Sequence, residues 1–144
     1  MKNKIILILI VFIVILAVSI YAVFNYRRNI MESQKINIEF EKYYQKQVTG
    51  HELISIINKA IDINTKNSVE KDNNGLYIEN DDNSIKIYIK FKLDDEYSTV
   101  QMEKVTDKGT DSFLKLYNTQ NFECTEIEYH EKTKNIKSVT FTET

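Results

Sequence analysis

Residues 5–24 read IILILIVFIVILAVSIYAVF, and the reading of this stretch decides the architecture. It holds no charge, no Gly and no Pro, and its only polar side-chain atoms are the hydroxyls of Ser19 and Tyr21. At about 1.5 Å per residue, such a helix is roughly 30 Å long, the thickness of a bilayer's hydrocarbon layer. A globular core helix of that length would need a polar face, and this one has none. Tyr21, Phe24 and Tyr26 gather at its C-terminal end, where an interfacial aromatic belt belongs. The stretch predicts a transmembrane helix, with the lipid bilayer as partner through Ile5 to Phe24. A cleaved signal peptide is the competing reading, because Ala17-Val18-Ser19 passes as a small-x-small site. The apolar run, however, continues for five residues past Ser19, longer than a signal peptide needs. The single Cys, Cys124, lies far from the run, which excludes a lipoprotein anchor.

Flanking charge alone does not set the orientation. Lys2, Lys4 and the α-amine stand on one side, Arg27 and Arg28 on the other, so the positive-inside balance is close. A short N-terminus before a long C-terminal domain is expected to stay inside, which makes the protein a single-pass cell-membrane protein with an extracytoplasmic domain. Working outward, the chain divides into an anchor at 1–28, a juxtamembrane helix at 29–48 and an α+β extramembrane domain at 49–144.

All the acidic residues lie beyond the anchor. The chain has 19 Lys and Arg against 21 Asp and Glu; without Lys2, Lys4, Arg27 and Arg28 the balance is 15 to 21, a net charge of −6. That repels nucleic acid and anionic lipid, and no nucleic-acid partner is expected. One Cys allows no internal disulfide, so an apolar core must hold the domain together.

Nothing obliges the membrane helix to stop at the bilayer surface, since the first Gly is Gly50 and Pro is absent. Ile36, Phe40, Tyr43 and Tyr44 fall at i, i+4, i+7 and i+8, one stripe of a continuing helix. Ile36, Ile38 and Phe40 also alternate as a strand would, but Glu39, Glu41, Lys42, Gln45 and Lys46 supply a helix's polar side. Thr49-Gly50-His51-Glu52 is a capping box that opens a second amphipathic helix bearing Leu53, Ile54, Ile56, Ile57, Ala60 and Ile61. Asn64 to Asn67 ends it. Asp72-Asn73-Asn74-Gly75 predicts a turn into a strand at Leu76 to Glu79, with a second polar turn at Asn80 to Ser84. Ile85, Ile87, Ile89, Phe91 and Leu93 alternate with Lys86, Tyr88, Lys90 and Lys92, a strand with one buried and one wet face. Asp94-Asp95-Glu96 turns it back into a strand from Tyr97 to Val105. Thr110 is expected to cap a short helix with Phe113, Leu114 and Tyr117; strands at Phe122 to Glu131 and Ile136 to Phe141 follow, flanking the loop Lys132 to Asn135. The fold class is α+β: an antiparallel sheet of about four or five strands with one short helix inserted.

Few residues invite chemistry. His51-Glu52 begins like a zinc-protease helix, H-E-x-x-H, but Ser55 stands where the second imidazole must be. Cys124, Glu126, Glu128 and His130 are expected on one strand face. Alternate strand residues lie roughly 6.6 Å apart, though, and metal ligands must all lie about 2.0–2.3 Å from the ion. A solvated sheet face near an edge, with Cys124 partly buried, is the expected arrangement. The acidic turns Asp81-Asp82 and Asp94-Asp95-Glu96 lack the alternating spacing that wraps oxygens around calcium. No nucleophile elbow, P-loop or dinucleotide fingerprint is present, and three glycines cannot build a phosphate cradle. No enzyme activity, metal or cofactor is expected.

Phe40-Glu41-x-Tyr43, Val48-x-Gly50-x-x-Leu53-Ile54-x-x-Ile57, Met102-Glu103, Phe113-x-x-x-Tyr117-Asn118 and Phe122-x-Cys124-x-x-Ile127 run across nearly all of the polar domain. In these pieces the sequence resembles a group of small single-pass membrane-anchored proteins of unknown function from low-GC Gram-positive bacteria. The layout also resembles pilins and pseudopilins, although no Gly precedes the apolar run and no Glu stands at its fifth position. The resemblance implies a fold and no mechanism. The expected function is a non-enzymatic cell-envelope structural or protein-interaction domain, accessory to a secretion or pilus-like assembly. The alternative is an anchored binding module for a small ligand, an ion or a cell-wall fragment. The expected interaction surface is Ile30, Met31, Ile36, Phe40, Tyr43 and Tyr44, through which a protein partner or a second copy would meet the anchor and stalk. Ile30 and Met31 would extend a helix–helix contact out of the bilayer.

Overall fold

The apolar stretch forms a helix, which satisfies its backbone hydrogen bonds within the segment, as an apolar surrounding demands. The computed structural model describes residues 2–94, 96–107 and 109–144, and its first helix is α1 (Lys2–Glu41). Its most apolar 18-residue window has a mean hydropathy of 3.3 with nothing buried, so α1 is long and apolar enough to cross a membrane. The Ser19 hydroxyl, a rare polar group there, donates to the Ile15 carbonyl at 2.8 Å and is satisfied within the helix. The chain groups into two units, Met1–Lys35 and Ile36–Thr144.

The second unit begins where α1 acquires a core-facing side. Ile36 and Phe40 join the hydrophobic core, and Phe40 is fully buried. Asn37 lies between them. Its Nδ2 donates to the Lys134 carbonyl at 2.8 Å, and its Oδ1 accepts from the Ile136 amide at 2.9 Å. The helix ends at Glu41, earlier than the expected 48. Tyr43 and Tyr44 sit in the turn that follows, where Gln45 adopts φ 56° and donates its amide to the Cys124 carbonyl. Strand pairing thus takes over from helix, and Gln47–Thr49 is β1, with Val48 buried opposite Phe122.

Thr49 then opens α2 (Gly50–Lys66) with the full capping box. Its hydroxyl accepts the Glu52 amide, while the Glu52 carboxylate accepts the Thr49 amide at 2.8 Å. Those bonds to Thr49, backbone first, hold the Glu52 carboxyl below its usual pKa. Two more amides of the first turn, those of Gly50 and His51, are taken by the carbonyls of Gln120 and Asn118. Gly50 is required there, because a Cβ would stand 1.9 Å from the Tyr117 carbonyl oxygen.

The remaining elements are β2 (Lys86–Leu93), β3 (Glu96–Gln101), α3 (Met102–Asp107), α4 (Thr110–Tyr117), β4 (Asn121–Tyr129) and β5 (Ile136–Glu143). The architecture is the α+β layout that the sequence predicts, with differences inside it. The sheet runs β1-β4-β5-β2-β3, and it is mixed, because β5 enters between β4 and β2 and lies parallel to β2. Alternating apolar residues identify a strand and do not say which way it runs. Leu76 to Glu79 forms no sheet strand; after the expected turn, with Gly75 at φ 77°, only a single bridge links Lys71 and Tyr77. The strand expected at Tyr97 to Val105 stops at Gln101, and Met102 turns into α3, a second inserted helix, to sink its side chain into the core. Thr110 is the first residue of α4 and not its cap, which is Gly109 at φ 82°. Of the acidic turn at Asp94-Asp95-Glu96, Asp95 lies outside the described residues.

One face of the sheet is the core. It presents Ile87 and Ile89 of β2, Val139 and Phe141 of β5, and Phe122 and Cys124 of β4, all fully buried. Leu53, Ile57 and Ala60 of α2 and Phe113 of α4 belong to the same cluster. The other face carries Tyr88 and Lys90 beside their β5 neighbours Thr140 and Thr142.

Candidate functional site

The six residues of the expected interaction surface separate. Phe40 is a core residue, and Ile36 and Tyr43 pack on that core from its edge, so these three are used inside the fold. Ile36 and Phe40 share the helix face that the sequence marks, Tyr43 follows in the turn beyond the helix, and all three pack on the domain's own core. Tyr44 is exposed, as are Ile30 and Met31 of the first unit, Met31 at 69%.

The chemistry-bearing strand is also divided. A bulge between Cys124 and Glu126 shifts the register of β4 against β5, and a second falls between Glu128 and Tyr129. Cys124 therefore pairs with Phe141 on the core face, while Glu126 and Glu128 pair with Thr140 and Ser138 on the other face. His130 is buried, not solvated, and its Nε2 donates to the Ser84 carbonyl at 2.8 Å. Among the described residues, no three His, Cys, Asp or Glu side chains converge to hold a metal. The expected single face for Cys124, Glu126, Glu128 and His130 fails because alternation does not survive a bulge.

Burial raises the Cys124 thiol to a pKa of about 11. The thiolate is the nucleophile, so at pH 8 iodoacetamide should react far more slowly with the folded protein than with the chain in denaturant. The folded-state rate should rise about tenfold per pH unit and level off only near pH 11. Equal rates in the two states would place Cys124 outside the core.

A buried ion pair leaves no mark in the residue pattern. Lys86 lies on the face expected to be wet, yet its side chain is only 7% exposed, and its Nζ stands 3.3 Å from Oε1 of Glu103, whose side chain is 3% exposed. The same oxygen accepts the Tyr77 amide at 2.9 Å. Lys86 is buried because Glu103 follows β3 directly and Tyr77 donates to it from the loop before β2. Lys–Glu neighbours from separate elements leave no periodic trace.

Two concavities among the described residues of the domain bear on function. A polar cleft of about 310 Å³ is lined by Glu79, Asp81, Glu128, Tyr129, Lys132 and Lys137, among others. Both of its lysines are paired: Lys137 meets Glu79 at 3.0 Å and Lys132 meets Asp81 at 3.1 Å, while Glu128 accepts from the Ser138 hydroxyl. Tyr129 donates its hydroxyl to Glu41, and burial, with that bond, raises its pKa to about 12. The second is an apolar groove of about 350 Å³ walled by Phe91 and Leu93 of β2, Val100 of β3, Val105 of α3, and Phe113 and Leu116 of α4. Its floor is aromatic, with Phe91 4.8 Å from Tyr117 and 5.9 Å from Phe122 between ring centroids. Leu93 and Leu116 stand on its rim at 59% and 76% exposure.

These features define a class: a small α+β domain with a mixed sheet, following a helix apolar enough to enter a bilayer. No protein-family model matches the chain, and neither a curated protein nor a solved structure matches it.

Proposed function

We propose that the protein is a non-enzymatic, single-pass membrane-anchored interaction domain of the cell envelope, with the domain on the extracytoplasmic side, serving as an accessory part of a secretion or pilus-like assembly. The observation that carries this reading is the pairing of an apolar helix at Ile5 to Phe24 with an apolar groove left open on the domain. Soluble monomers keep most contiguous apolar surface covered, and open apolar patches rimmed by polar residues mark contact sites for other macromolecules. The rival reading, a small-ligand module, would use the polar cleft, but its lysines already face its carboxylates. A short N-terminus before a long C-terminal domain supports this orientation, and the near-balanced flanking charges do not oppose it. Protease added to intact, wall-stripped cells should digest the domain and leave a membrane fragment. Survival of the domain until lysis would place it in the cytoplasm and overturn the envelope reading.

A further inference from the structure

We propose that the free edge of β3 and the apolar groove beside it form one docking site for an extended peptide strand that alternates apolar and acidic residues. The proposal rests on the interaction-domain reading and names the kind of partner. β3 is the last strand of the sheet, paired with β2 on one side only. In an antiparallel pair, alternate residues turn their amides and carbonyls away from the partner. Along β3, Glu96–Gln101, those outward groups have no backbone partner among the described residues. An edge of this kind accepts another strand, and the sheet elsewhere protects its edges; β1, at the opposite one, is only three residues long.

The groove supplies the side-chain half of recognition. Val100 and Ser98 of β3, with Phe91 and Leu93 behind them, form its sheet wall, and α3 and α4 form the other. A strand laid against β3 would send every second side chain toward that groove, between Val105 and Leu116. Strand addition beside a helix-walled apolar groove takes its affinity from main-chain bonds and its specificity from alternate side chains. The remaining side chains would lie on the opposite face, where Thr99 and Tyr97 pair with Lys90 and Lys92 of β2. Neither lysine is ion-paired among the described residues. Carboxylates at those positions complement them, which selects an apolar–acidic alternation over an apolar–basic one.

The test uses the full-length protein in detergent micelles and a fluorescent synthetic peptide of alternating valine and glutamate, read by anisotropy. Binding is expected, and methylating the amides along one edge of the peptide should abolish it, since a strand so blocked cannot donate. Leu116→Glu, at an exposed rim position that folding does not need, should weaken binding more than about tenfold. Lys90→Glu with Lys92→Glu should weaken it about tenfold and turn preference toward a valine–lysine peptide. A folded protein that ignores the valine–glutamate peptide, or binds it equally well when N-methylated, overturns the site. Such a failure would leave the anchored reading standing, because membrane fractionation and protease access test that independently.

Discussion

Replacing Glu103 with alanine should destabilise the domain by about 3–5 kcal/mol, the usual result of stripping one partner from a buried ion pair. The substitution strands the Lys86 ammonium at a site with almost no solvent and leaves the Tyr77 amide without its acceptor. For a domain of this size, the loss corresponds to a fall in Tm of more than about 10 °C, read by circular dichroism of the full-length protein in detergent. Replacing both charges, Lys86→Met with Glu103→Leu, should recover the part of the loss that comes from the unpaired charge, while the Tyr77 amide stays without its acceptor. If Glu103→Ala costs less than about 1 kcal/mol, water reaches Lys86 and the pair is not buried.

Phe40→Ala should cost a comparable amount, about 3–5 kcal/mol, by deleting a fully buried ring from the core. Met31→Ala, at an exposed position on the same helix, should change stability by less than about 0.5 kcal/mol. The contrast tests whether the last turn of α1 belongs to the domain, where Asn37 also bonds to the Lys134 carbonyl and the Ile136 amide. Equal, small effects from both substitutions would detach Phe40 from the core.

What the sequence makes legible is local. The Thr49–Glu52 box is readable because both of its hydrogen bonds close within three residues, and the structure forms both. Ile87 and Ile89 are readable as core because strand alternation needs only neighbours. The stripe of Ile36 and Phe40 is readable as apolar, but whether a partner or the domain covers it depends on elements far along the chain. The short β1 hides inside a helical pattern because its pairing partner, β4, lies more than 70 residues away. The first bulge of β4 moves Cys124 and Glu126 to opposite faces without any marker residue. The groove is the least legible feature, since its walls come from β2, β3, α3 and α4, and none of their apolar residues departs from a normal core pattern.

Washing isolated membranes with alkaline carbonate and then high salt shows whether Ile5 to Phe24 anchors the protein in a bilayer. A helix with a mean hydropathy of 3.3 and nothing buried is long and apolar enough to cross a bilayer, and a helix that crosses resists both washes. The full-length protein should therefore remain in the membrane pellet through both washes. Recovery of full-length protein, N-terminus intact, in the soluble fraction would contradict the account.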